Sequence, residues 1–393
     1  MRHIAGLLGL LVVTISLPLG ACSSTHGPAQ LRRGHLDYNN AVRTSVDDEL
    51  LLNIVRLRYL DTIEFLGTSS ISSQTEINVG LGATVGELGP EELAGVSGDV
   101  GWSARPTFTF TPQRGREFAE RLLGPVDLNM LTHLAASNWP MDRLLRLFVT
   151  DLGPLNNNGI GEDAAAFEEL SDLISALQSR GDIAAGFVNQ AEPVSQPIPA
   201  ARVAPADYVA AAEKGYKYVP SENGETLTLT KSGRRTAVIM RPGTPEAPRI
   251  LELLELQPNE RPYFTIDLGA HVGRPGITGD RIYIRTRSIL TSMAHLARGV
   301  HVPCVHVAEG LARPDFPRHG ILPETMDNFF QVHVSKNTPV GRLAVPYRGH
   351  WYSIADDDLE SKLTFLILST LYRLKLNDAA GKNTPVLTLP VGG

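Results

Sequence analysis

This chain of 393 residues lacks the signatures of the commonest catalytic sites. It has no Gly-x-Ser-x-Gly elbow, no phosphate-binding P-loop and no His-Glu-x-x-His helix, so no nucleophile, nucleotide site or zinc peptidase is announced. Gly80-Leu81-Gly82-Ala83-Thr84-Val85-Gly86 imitates a dinucleotide turn, but its spacing is one residue too long and it opens no helix. No cofactor is expected. Basic residues are short as well: 36 Lys and Arg against 42 Asp and Glu give a net charge of −6, with no basic stripe, which excludes nucleic acid as a partner. Long apolar runs are missing too. The longest, Ile4 to Leu17, falls short of the ~20 residues that cross a bilayer as a helix. Cysteine is confined to Cys22 and Cys304.

What is present begins at the amino terminus. Arg2 and His3, the apolar run, then Pro18 and small residues stand in the order of a secretory signal. Leu19-Gly20-Ala21-Cys22 resembles the lipobox of bacterial lipoproteins, and the resemblance implies cleavage before Cys22 with acylation of its thiol and new amino group. Ser23 and Ser24 occupy the place where an aspartate would retain such a protein at the inner membrane, which implies the periplasmic face of the outer membrane. Each buried methylene contributes about 0.8 kcal/mol and two chains already anchor stably, so the three implied acyl chains would prevent release. Removing the signal removes Arg2 and no acid, leaving 35 − 42 = −7. With Cys22 acylated, Cys304 has no disulfide partner and is expected to be buried.

The mature chain reads as α+β. Residues 1–21 are the signal, 22–35 a polar tether, 36–188 a hairpin with a helical block, 189–205 a proline-rich linker and 206–393 a mixed sheet with packing helices. Val42, Val46, Leu50, Ile54 and Leu57 predict a helix from Leu36 to Leu60, with Arg56 and Arg58 in its last turn. Alternation over Ile77 to Val85 and Val100 to Ala104 predicts a long β-hairpin around the acidic stretch 86–99. Helices are expected from Thr111-Pro112 to Leu123, over 127–137, over 140–152 and over 163–180. Strands follow at 183–188, 216–219, 226–230, 237–240, 263–268, 282–285 and 330–334, with turns at Asn223-Gly224 and Ser232-Gly233. A helix over 288–297, a hairpin turning at Arg348-Gly349, a helix over 356–376 with its stripe at Leu359, Leu363, Ile367, Leu371 and Leu374, and a strand over 385–389 complete the chain. The stretch Asp48-Glu49-Leu50-Leu51-Leu52-Asn53-Ile54-Val55-Arg56-Leu57-Arg58-Tyr59-Leu60-Asp61, then Phe65-Leu66, is similar to a segment of an uncharacterised family of Gram-negative exported lipoproteins. Weaker similarity follows at Arg105 to Pro112, Asp356 to Asp358 and Leu387 to Val391. This implies export and a shared fold, and no reaction.

Candidate chemistry is sparse. His301, Cys304 and His306 are the only clustered metal-type ligands; on a strand Cys304 and His306 would share a face, yet alternating valines also suit a buried strand, and no fourth ligand is near. Asp356, Asp357, Asp358 and Glu360 are better explained as the charged start of a helix than as a cation site. Arg56, Arg58 and Arg105 with Tyr59 could form an anion surface, though such arginines more often pair with acids. No catalytic residue is assigned. The expected role is structural: a lipid-anchored protein binding other envelope proteins. Two alternatives stand beside it, an oligomeric outer-membrane pore built from the hairpin around 75–111, and a periplasmic enzyme or ligand binder whose site only the fold would show.

Overall fold

A computed structural model describes residues 27–83, 96–157, 162–257, 263–268, 281–313, 329–341 and 343–377. Cys22, residues 86–95 of the acidic stretch and the strand expected over 385–389 lie outside them. The fold is α+β, with helices, a mixed sheet and two smaller antiparallel sheets.

Helix α1 spans Gly27–Arg58, so helix already occupies part of the stretch expected as a tether. Leu50, Leu51, Ile54 and Val55 are buried, and this stripe holds α1 in the first core. Asn53 is fully buried: its Nδ2 donates to the Glu64 carbonyl at 2.7 Å and its Oδ1 accepts the Glu64 N–H at 3.2 Å, tying the outgoing chain to the helix. Strands β1 (Leu66–Ala83) and β2 (Val96–Pro112) then pair antiparallel as a two-stranded sheet. Thr111 and Pro112 finish β2 and do not open a helix, because Leu66 and Gly67 pair with them; α2 (Arg116–Leu123) starts after Gly115, whose φ is 107°.

Helices α3 (Leu128–Ala136) and α4 (Met141–Phe148) follow, α3 capped by Asp127, whose carboxylate accepts the Asn129 N–H. The helix expected to reach Leu152 stops at Phe148. From there β3 (Val149–Leu152) joins the large sheet, where it pairs with residues 281–286, and β4 (Leu155–Asn156) pairs back onto β3. Helix α5 (Glu162–Arg180) buries Phe167, Leu170, Ile174 and Leu177, three and four apart.

The large sheet has the order β4-β3-β10-β9-β8-β5, where β5 is Ile183–Pro193, β8 Thr226–Met240, β9 Tyr263–Leu268 and β10 Arg281–Thr286. Two short strands, β6 (Ile198–Pro199) and β7 (Tyr216–Pro220), add to β8, with helix α6 (Pro205–Glu213) between them in sequence. Among the described residues, only β9 and β10 pair parallel in this sheet. Within the stretch 189–205, β5 runs on to Pro193, a residue tolerated because β5 is an edge strand, and β6 takes up Ile198 and Pro199. Ser232-Gly233 is not a turn either. Both residues continue β8 and pair with Ala191 and Gln190, and a Cβ at Gly233 would meet Glu192 Oε1 at 2.9 Å.

Helix α7 is Ala247–Leu253 and α8 is Ile289–Leu296, capped by Ser288, whose hydroxyl accepts the Thr291 N–H. Gly299 sits so tightly under the Phe330 carbonyl that a Cβ would come within 2.0 Å of its oxygen. The short helix α9 (Cys304–Ala308) replaces the strand expected there. A three-stranded sheet, β11-β13-β12 (His333–Ser335, His350–Ser353, Ala344–Tyr347), turns at Arg348 and Gly349, both with positive φ. Helix α10 (Leu359–Asn377) buries Thr364, Ile367, Leu368 and Leu371, so its inward face is rotated from the predicted stripe and Leu359 and Leu374 are exposed.

Two apolar cores result. The first joins α1, α2, α4, α8, α10 and the three-stranded sheet; the second lies between the large sheet and α3, α5 and α7. Arg287, buried between them, donates to the carbonyls of Arg146 (2.9 Å), Leu147 (3.2 Å) and Asn157, so the chain ends of α4 and β4 are fixed to one guanidinium.

Candidate functional site

The feature least explained by packing is the β1–β2 hairpin. Its register is continuous from Leu66 opposite Pro112 to Ala83 opposite Val96, apart from one shift between Thr68 and Ser70. At about 3.3 Å per residue, 18 residues extend roughly 60 Å. Among the described residues neither strand pairs with any other, so each has an open edge. A lone two-stranded ribbon is marginal in water, and open edges are templates for a further strand.

The root of this ribbon, by contrast, is firmly held. Phe65 is buried, stacked on Tyr372 with centroids 5.6 Å apart and tilted against Phe118 at the same distance. Its carbonyl accepts the Gln113 N–H at 2.8 Å, and Arg114 grips Glu64 through Nε and Nη2 at 3.0 and 2.7 Å. The Leu66 N–H donates to Glu49 Oε2 at 2.8 Å. Desolvation pushes the Glu49 carboxyl up to about 7, against the lowering effect of that hydrogen bond and of Arg56. A titrating carboxylate thus holds the first residue of the hairpin.

A second constellation joins the end of α1, the three-stranded sheet and α9. The Tyr59 hydroxyl lies 2.7 Å from His306 Nδ1 and 2.5 Å from the Tyr352 hydroxyl. Arg348 stands over the Tyr59 ring, 5.3 Å from its centroid, and donates to Asp61 Oδ2 at 2.9 Å; the Tyr347 hydroxyl donates to the same oxygen. Hydrogen bonds from Tyr347 and then Arg348 lower the Asp61 carboxyl, whereas burial raises both Tyr59 and Tyr352. Burial, and next the nearby His350, lower His306. With every group neutral, Tyr352 donates to Tyr59 and Tyr59 to His306, so each proton has an acceptor. This is a closed clamp between elements distant in sequence. Among the described residues no nucleophile completes it: Cys304 is exposed, and two helix positions apart it does not face His306.

The strand on which Cys304 and His306 would share a face is not formed, since both lie on the helix α9. His301 packs edge-on against His333 at 5.2 Å and His306 against His350 at 4.8 Å, and among the described residues no group of three or more ligands assembles. The burial expected for Cys304 is also corrected, because Pro303 caps a short surface helix where a core strand was expected. Arg58 is no anion ligand; it is buried and donates to the Val300 and Arg313 carbonyls at 3.2 and 2.9 Å. Asp358 accepts the Ser361 N–H at 3.0 Å as the cap of α10, and Glu360 pairs with Arg143. Sequence reading missed the Tyr59 clamp, since Tyr59, His306 and Tyr352 are brought together only by tertiary structure. No family model, curated protein or solved structure matches this chain.

Proposed function

We propose that this chain is a lipid-anchored protein of the periplasmic face of the outer membrane, and that the β1–β2 hairpin is the arm by which it assembles with envelope proteins, other copies of itself included. The observation that carries the reading is a long two-stranded sheet with both edges open, set on a root fixed by Phe65, Glu64, Arg114 and Glu49. The lipobox-like Leu19-Gly20-Ala21-Cys22 supports the location.

The register also favours a second reading, a pore. Ile71 pairs with Phe108, Ile77 with Trp102 and Val79 with Val100, while the alternating positions pair Gln74 with Arg105, Glu76 with Ser103 and Asn78 with Gly101. Cross-strand partners share a face, so from Ile77 to Ala83 apolar pairs alternate with small or polar ones, as on an outer-membrane strand, while Ser73 and Thr75 interrupt the apolar face nearer the root. One set of variants tests both readings. Cys22→Ala should abolish labelling by a palmitate analogue and release the protein to the soluble periplasm. Retention in the membrane after a high-salt wash would refute the lipid anchor as the attachment. In a Cys304→Ser background, Ser72→Cys should give disulfide-linked species in intact envelopes; monomer alone would remove the assembly arm. Labelling of Gly89→Cys from outside the cell would select the pore.

A further inference from the structure

The two edges of the β1–β2 ribbon are not equivalent. In an antiparallel pair, residues alternate between exchanging hydrogen bonds across the ladder and turning their N–H and C=O outward. Two bonds at the root set the phase. The Gln113 N–H donates to the Phe65 carbonyl at 2.8 Å, so these two bond through the ladder, whereas the Leu66 N–H turns away from β2 to Glu49. Pro112, opposite Leu66, therefore stands with its nitrogen outward. The one register shift adds a residue to β1 alone, since Thr68 and Ser70 face the consecutive residues Phe110 and Thr109. The alternation on β2 is thus unbroken, and its even-numbered residues face outward throughout. Past the shift, the outward residues of β1 are their partners, the odd-numbered ones from Ile71 to Ala83.

Both prolines of β2, Pro106 and Pro112, fall on outward positions. Proline has no N–H, so this edge lacks a donor at each, and between them only Phe108 and Phe110 turn one outward. Pro106 costs the ribbon itself nothing, because its pair with Ser73 exchanges no bond. β1 contains no proline. Its edge turns an N–H and a C=O outward at Ile71, Ser73, Thr75, Ile77, Val79 and Leu81 in succession. Proline on a strand edge blocks pairing with further strands, and here one edge carries it and the other does not.

We infer that β1 is the pairing edge, and that it takes β1 of a second copy, antiparallel across a two-fold axis. This rests on the hairpin being an assembly arm, and it names the strand and its occupant. The occupant must be an extended strand with outward donors and acceptors, which β1 itself supplies. β1 carries one charged residue, Glu76, so only the register that sets Glu76 against its own copy is repulsive. Such a pairing is isologous and closes on itself. The edges left exposed are the two β2 edges, each interrupted by proline. A ring would instead set β1 against the proline-bearing edge of the next copy.

The test uses the full chain carrying Cys22→Ala and Cys304→Ser, purified without detergent, with its mass measured by sedimentation. The parent should show twice the chain mass. Thr75 and Ala104 lie opposite each other and both face outward, so proline at either removes one outward donor at the same point along the ribbon. Thr75→Pro should return the protein to the chain mass at a concentration where the parent is dimeric, and Ala104→Pro should stay dimeric. Loss of the dimer in both variants, or in neither, would overturn the choice of edge. Amide exchange on the parent reads the same edge without a variant: protection at Ser73, Thr75, Ile77 and Val79 should rise with protein concentration, and at Val100, Trp102 and Ala104 it should not. The reverse pattern would overturn the inference. A parent that stays at the chain mass would overturn self-pairing, and if Ser72→Cys still cross-linked in envelopes the arm would stand with a strand of another protein as its occupant.

Discussion

Glu49 carries the clearest pH dependence at a single residue. Its carboxyl rises from an ordinary 4.5 to about 7 on folding, because the end of α1 is desolvated against the hairpin root. Between those values the folded chain holds more proton than the unfolded one, so this group's contribution to stability falls as pH rises from about 4.5 to 7. Glu49→Gln should flatten that slope and raise the melting temperature at pH 8, while keeping an acceptor for the Leu66 N–H. Thermal unfolding of both proteins from pH 5 to 8 measures it, and parallel curves would contradict the assignment. Cys304 gives a second expectation. Exposed on α9, it should react with a maleimide in the native protein as fast as in denaturant, and Cys304→Ser should change stability by less than about 0.5 kcal/mol. Protection until unfolding would place the thiol in the core instead.

At the scale of elements, the sequence was most legible where one residue pattern served one local purpose. Asp127 and Ser288 cap helices, Arg348-Gly349 turns a hairpin, and Phe167 to Leu177 face a core at helical spacing. It misled where tertiary contacts overrode local signals. Thr111-Pro112 has the form of a helix start, but the partner strand takes those residues into the ladder. Ser232-Gly233 has the form of a turn, yet β8 continues because the Glu192 side chain lies over Gly233 and ion-pairs with Arg235 at 2.8 Å. Alternating valines suggested a strand at His301 to His306, whereas Pro303 begins a helix and His306 turns inward to Tyr59. The same limit hid the Tyr59 clamp and the contact of Thr132 with Thr236. These two are 104 residues apart, and no local pattern marks two hydroxyls that satisfy each other.

The whole molecule combines a body with two continuous cores and a ribbon that shares no sheet with it. If the hairpin is an assembly arm, the body does not need it to fold. The direct test replaces residues 68–110 by Asn-Gly, closing the ladder at Gly67 and Thr111 with a two-residue turn while keeping Phe65, Leu66 and the Glu64–Arg114 pair. Thermal unfolding of the shortened chain and cross-linking in intact envelopes are then compared with the parent. The account predicts a melting temperature within about 4 °C of the parent, the shift of roughly 1 kcal/mol in a body of this size, together with loss of the cross-linked higher-mass species. A body that no longer unfolds cooperatively, or cross-linked species that persist without the hairpin, would contradict it.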